Sequence, residues 1–197
     1  MLVKTVFAGF GGQGVLLMGY MLAYAAMQEE RHVTYMPSYG AEVRGGTANC
    51  TVAISNDEIA SPVASSPECL VVMNAPSLIR FQSSVKPGGL VFINSTMVTR
   101  VPSRRDVETF RVPATKIAED LGEMRASNIV MLGALVAGTN LVSTRTLGAS
   151  IEDILGRKKE LLEINRKAME LGMEHIRTVY PDWYRKKTKI ASGAKSA

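Results

Sequence analysis

A strand, a glycine turn and a helix follow one another without a gap between residues 3 and 18. Val3 to Ala8 reads as a buried strand, interrupted by Lys4 and Thr5; Gly9-Phe10-Gly11-Gly12-Gln13-Gly14 turns the chain; Val15-Leu16-Leu17-Met18 starts a helix. Gly9, Gly11 and Gly14 match G-x-G-x-x-G, the spacing in which glycines permit a tight turn and let a phosphate approach the backbone at a helix N-terminus. Many α/β domains use such a turn only to pack a helix on its strand, so two readings stay open: an anion site, or packing alone.

Positions 14–28 are apolar nearly all round, with Met21, Leu22, Ala23, Ala25, Ala26 and Met27 continuing the run. A helix of this kind needs cover on all sides, from the sheet and from something else, for which a partner subunit is one candidate. His32-Val33-Thr34-Tyr35-Met36-Pro37 predicts a second strand stopped by its proline. A dinucleotide fold ends this strand with an Asp or Glu for the ribose. Here Met36-Pro37-Ser38 follows, with no carboxylate before Glu42, which counts against NAD.

Ser38 to Thr47 is a polar, glycine-rich loop carrying Tyr39, Glu42 and Arg44, and functional residues concentrate on loops of this type. Ala48, Cys50, Val52 and Ile54 then alternate with Asn49, Thr51, Ala53 and Ser55, a period of two that predicts a strand exposed on one face, antiparallel or at an edge. Further strands are predicted at Cys69–Met73, Leu90–Ile93 and Val107–Val112, with helices over 76–85 and 114–121. Asn128 to Gly138 reads as a helix whose Gly133, Ala134, Ala137 and Gly138 let it lie close against another backbone. Ser143 is placed to cap a helix reaching Leu155. A last helix over about 158–179 carries Leu161, Ile164, Ala168, Leu171 and His175 on one face. The expected fold is α/β: a Rossmann-like, mostly parallel sheet with an antiparallel element, helices on both faces and a helical C-terminus.

The 197-residue chain has a net charge of +5, which hints at nucleic acid until it is located. Arg185, Lys186, Lys187, Lys189 and Lys195 account for all of it, and residues 1–184 balance at 18 of each sign. The expected organisation is therefore one domain over 1–184 and a basic, disordered tail over 185–197, with no nucleic-acid partner. The longest apolar run, Ile129 to Gly138, falls short of a membrane span, and no signal-peptide layout is visible, so a cytoplasmic protein is expected. Cys50 and Cys69 are too few for a cluster or zinc site and read as buried thiols. His32 and His175 lie far apart, and Glu152, Asp153, Glu160 and Glu163 are spaced as a solvated helix face; no catalytic residue and no metal site stands out. Asn74, Asn94 and Asn128 sit near strand or helix ends, where ligands bind in α/β sheets. Arg44 suits a phosphate or carboxylate fork, or a surface salt bridge.

Taken together, Gly9 to Gly14, the loop Ser38-Tyr39-Gly40-Ala41-Glu42-Val43-Arg44-Gly45-Gly46-Thr47-Ala48-Asn49, Val112-Pro113-Ala114-Thr115 and Asn128-Ile129-Val130-Met131-Leu132-Gly133-Ala134 resemble the gamma subunit of 2-oxoacid:ferredoxin oxidoreductases, over roughly residues 3–175. The likeness is strongest to the 2-oxoglutarate and 2-oxoisovalerate branches. It implies a subunit, inactive alone, of a complex that oxidatively decarboxylates a 2-oxoacid to acyl-CoA and CO2 and reduces ferredoxin. Partners so implied are alpha and beta chains, a ferredoxin-like delta chain, and ferredoxin as acceptor, with self-association into a dimer open for the isolated chain. Thiamine diphosphate, Mg²⁺ and [4Fe-4S] clusters would belong to the complex, with coenzyme A as co-substrate and no cofactor held by this chain alone. By residue-wise match, Gly9, Gly11, Gly12, Gln13 and Gly14 would form an anion or interface turn. Tyr39, Glu42, Arg44, Gly45, Gly46 and Asn49, with Asn128 nearby, would form a loop that helps enclose coenzyme A. A free-standing nucleotide- or flavin-binding oxidoreductase is the alternative.

Overall fold

The computed structural model describes residues 1–39, 47–156 and 159–186. Six strands form one sheet: β1 (Leu2–Phe10), β2 (His32–Tyr39), β3 (Thr47–Ser55), β4 (Cys69–Val72), β5 (Leu90–Asn94) and β6 (Glu108–Val112), in the order β2-β3-β1-β4-β5-β6. β1, β4, β5 and β6 pair in parallel, and β3 runs antiparallel to both β1 and β2. Among the described residues the helices include α1 (Val15–Gln28), α2 (Ala75–Phe81), α3 (Ala114–Asp120), α4 (Ser127–Thr139), α5 (Thr144–Leu155) and α6 (Lys159–Val179). A last helical segment covers 181–186. This is the predicted α/β class, with its antiparallel element and helical C-terminus.

Side chains alternate between two cores across the sheet. Phe7, Val52, Val71, Phe92 and Phe110 join α1, α4, α5 and α6 in the larger core, while Val6, Ala8, Leu70, Val72, Val91 and Ile93 meet α2 in the smaller one. The helix over 76–85 divides into α2 and a 3₁₀ turn, Gln82–Ser84, whose last carbonyls are gathered by Arg104. Arg104 also grips Asp106 through Nε and Nη2 of one guanidinium edge, and this pairing lowers the Asp106 pKa.

Three local expectations need correction. β2 does not stop at Pro37 but runs on to Tyr39, with Pro37 opposite Cys50. It is an edge strand, where a proline with no N–H loses no interior ladder bond. β3 is neither at an edge nor open on one face: Thr51, Ala53 and Ser55 are buried with Cys50, Val52 and Ile54. It lies between β1 and β2, so both of its rows are flanked by neighbours. The buried seam of α6 is Ala168, Met169, Gly172, Met173 and Ile176, and Leu161 and Leu171 are exposed. Gly172 sets that seam, because a Cβ there would collide with the Val130 carbonyl, as one on Gly133 would with that of Met169.

α1 has its second cover within the chain, from α5 and α4. Its Gly19 presses on Cys50 of β3, where burial pushes the thiol up to about 12 and Sγ donates to the Val15 carbonyl at 3.6 Å. Cys50 is therefore a packed thiol and no nucleophile at neutral pH. The far edge is closed by the chain's end. Arg111 N of β6 donates to Tyr180 Oη at 2.7 Å, and His175 Nε2 donates to the Arg111 carbonyl at 2.8 Å. A carbonyl only accepts, so His175 carries its hydrogen on Nε2.

Candidate functional site

β1 and β4 are neighbours whose following helices, α1 and α2, go to opposite faces. Their carboxyl ends form the switch-point crevice through which ligands usually enter an open α/β sheet. Gln13 fills it. Its Oε1 accepts from Phe10 N at 2.7 Å and Asn74 Nδ2 at 3.2 Å, and its Nε2 donates to the Met73 carbonyl at 3.3 Å. Gly9 packs beneath, with room for no side chain: a Cβ would stand 2.6 Å from Val15 Cγ2 and 2.8 Å from Gln13 Oε1.

Gly12 and Gly14 have φ of +98° and +69°, the left-handed region that favours glycine. Gly14 caps α1 without a side chain, which leaves the first helical N–H groups for other acceptors. Asn128, in the first turn of α4, lies directly against Gly14 and would collide with any Cβ there. Space for a ligand opens farther out, in a cavity of about 170 Å³ lined by Gly12, Gln13, Thr115, Arg125 and Ser127, with Met97 and Met124 at its rim. Among the described residues, nothing comes within 4 Å of where a Cβ on Gly12 would stand. Among the described residues, the Arg125 guanidinium and Ser127 Oγ have no partner, although Ser127 is only 9% exposed. Thr115 is held in place by Asn94, whose Nδ2 donates to Thr115 Oγ1 at 2.8 Å while its Oδ1 accepts from Thr115 N at 3.3 Å. A cation, an unpaired hydroxyl and an open glycine backbone suit an anion, while two exposed methionines suit an apolar partner surface of adaptable shape.

The end of β2 at Tyr39 and the start of β3 at Thr47 lie at this same edge, since Phe10 is opposite Thr47 and Ala48 is opposite Tyr39. Residues 4–175 match the family model described as pyruvate ferredoxin/flavodoxin oxidoreductase. The chain belongs to this family. It is 40% identical over 176 residues to the ketoisovalerate oxidoreductase subunit VorA of Methanothermobacter thermautotrophicus, covering 89% of this chain and 36% of that one. The chain thus spans about a third of the length of the VorA relatives. It is 38% identical over 176 residues to the 2-oxoglutarate synthase subunit KorC of the same organism, covering 86% of this chain and 92% of KorC. Among solved structures, the gamma subunit of a keto/oxoacid ferredoxin oxidoreductase from Geobacter sulfurreducens superposes with a TM-score of 0.74 at 30% identity, covering 88% of this chain and 97% of that one.

In this oxidoreductase-family chain the sequence-predicted residues separate into groups. Gly9 and Gln13 build the turn, Gly11 and Gly12 stand at its exposed tip, and Gly14 and Asn128 touch each other. Tyr39 ends β2 and Asn49 is half-buried on β3, both at the sheet edge that bears the turn. Glu42, Arg44, Gly45 and Gly46 lie outside the described residues. Asn74 caps α2 by accepting from Ser77 N at 2.9 Å, so this asparagine and Asn94 are tied into the scaffold. Arg125 and Ser127 were not singled out from the sequence. Their signal is an arginine and a serine just before an apolar helix. Among the described residues there is no group of three or more His, Cys, Asp or Glu able to hold a metal, and no helix long and apolar enough to cross a membrane.

Proposed function

We propose that this chain is the gamma component of a multi-subunit 2-oxoacid:ferredoxin oxidoreductase. The complex decarboxylates a 2-oxoacid, passes the acyl group to coenzyme A and the electrons to ferredoxin. The names VorA and KorC favour 2-oxoisovalerate or 2-oxoglutarate as the acid. This chain's part is to dock on the alpha and beta chains and help enclose coenzyme A, in the cytoplasm where that co-substrate is found, while making and breaking no bond itself. Thiamine diphosphate with Mg²⁺ and the [4Fe-4S] clusters would reside on partner chains, including a ferredoxin-like delta chain. Two cysteines, both buried, do not supply the four thiolates of a cluster.

The observation that carries this reading is the open anion-suited cluster of Gly12, Arg125 and Ser127 at the edge that also bears Tyr39 and Asn49. Tyr39, Glu42, Arg44, Gly45, Gly46 and Asn49 would close over the co-substrate from one side. Gly12 and Arg125 would meet its phosphates from the other. In the assembled complex, Arg125→Ala should raise the KM for coenzyme A roughly tenfold, the loss of a charge-assisted hydrogen bond, with the KM for the 2-oxoacid unchanged. An unchanged KM for coenzyme A in an intact complex would overturn the assignment, as would full activity of this chain alone.

A further inference from the structure

One stripe of α1 stays open. Gly19 presses on Cys50 and Tyr35 of the sheet, so Tyr20, the next residue around the helix, projects sideways over β2. Leu16 and Met27 share that side, and Tyr20 is 46% and Met27 61% exposed. The Tyr35 ring of β2 meets Tyr20 edge-on at 6.0 Å, and its hydroxyl donates to the Leu16 carbonyl at 3.1 Å. The stripe therefore lies beside the last strand of the sheet. β2 has β3 on one side, and among the described residues no strand pairs with its outer edge. None of the 14 residues of α1 is charged, nor is any residue from Val33 to Ser38. The outer faces of α5 and α6, by contrast, expose Glu152, Asp153, Arg166 and Glu170. An open edge strand is a template for another strand, and proteins blunt such edges with charges or proline. Here Pro37 alone does so.

We propose that this flank pairs with a second copy of the chain about a two-fold axis near Tyr35. Two β2 strands running antiparallel across that axis join the sheets into one, with a short ladder centred on Tyr35 because Pro37 brings no N–H. The same axis sets α1 antiparallel to its copy on one face of the joined sheet, so the two uncharged stripes meet. A second copy supplies strand and stripe at matching spacing by symmetry; a charged partner finds no counter-charge here. β2 is about 27 Å long and α1 adds a layer about 10 Å deep. Each copy thus offers roughly several hundred Å², the order of the 800 Å² or so per partner that a stable pair buries. The anion-suited cluster lies at the carboxyl edge, and the pairing does not depend on how that site is read.

The test is sedimentation velocity of the full 197-residue chain over a range of concentrations. A dimer should dominate at about 100 µM, as a face of this size with a micromolar dissociation constant requires. Tyr20→Lys sets like charges against each other across the axis and should weaken the dimer roughly hundredfold. Met36→Lys places on the edge strand the charge that natural edges use and should weaken it roughly tenfold. Tyr20 and Met36 are both exposed, so at dilutions where the parent is also monomeric the variants should melt with it. Amide exchange over Val33–Met36 should slow as the parent's concentration rises, which decides the matter even where a lysine variant folds poorly. A monomer at the highest concentration, a dimer that withstands both substitutions, or β2 exchange that ignores concentration would overturn the proposal.

Discussion

Gln13 stands where an open α/β sheet usually admits its ligand, and each polar atom of its side chain is used. Phe10 N and Asn74 Nδ2 converge on Oε1 while Nε2 reaches the Met73 carbonyl, so one carboxamide ties the end of β1 to the end of β4. Asn74 in turn caps α2 through Ser77 N. The turn is a rigid support, and its ligand-facing part is reduced to Gly12. Gln13→Ala would leave Phe10 N and the Met73 carbonyl without their side-chain partner. The expected loss is about 1–3 kcal/mol, read in thermal unfolding as roughly 2–4 °C per kcal/mol for a chain of this size. An unchanged melting temperature would mean that water replaces the carboxamide without penalty and that Gln13 is free to serve a ligand.

Between elements, the closest approach is that of α4 and α6. Gly133 faces the Met169 carbonyl and Gly172 faces that of Val130, so neither site can yield by rotating a side chain. Gly172→Ala should cost about 1–3 kcal/mol through forced separation of the two helices, measured by denaturant unfolding. A stability equal to the parent's would show that the helices have room to move apart. The small residues of α4 announced this contact in the sequence, because four of them within six positions make a smooth face. Its partner was not legible: Gly172 is a lone glycine in an amphipathic, charged helix, and the leucines around it suggested a different seam. The same limit applied to β3, whose polar row looked solvent-exposed. Position inside a sheet is a long-range property that a local period of two does not carry. At the candidate site Gly12, Gly14 and Asn128 were readable from motifs. Arg125 and Ser127 were not, since they come from a short 3₁₀ turn and a helix start.

At the scale of the whole molecule, the chain supplies its own cover where a partner had been one candidate. α1, apolar nearly all round, is buried between the sheet and α5, and only Tyr20 and Met27 among its large apolar residues are exposed. The carboxyl edge carries exposed Met97 and Met124 around Gly12. The opposite flank is sealed by the C-terminal segment. Phe110 stacks on Phe92 at 4.7 Å and receives Tyr180 and Trp183 edge-on at 5.0 and 5.3 Å, and Trp183 Nε1 donates to the Gly138 carbonyl at 3.0 Å. Tyr180 also satisfies Arg111 N on the otherwise open edge of β6. The fold boundary should therefore fall between Trp183 and the lysine-rich end. A chain ended after Lys186 should melt with the full-length protein. One ended after Val179 should lose about 3–5 kcal/mol, the scale of removing a large packed aromatic side chain, and expose the β6 edge to self-association visible in light scattering. Equal melting of the two truncations would place the stabilising end of the domain before Tyr180, and the aromatic cluster would then be a surface feature and not a clasp.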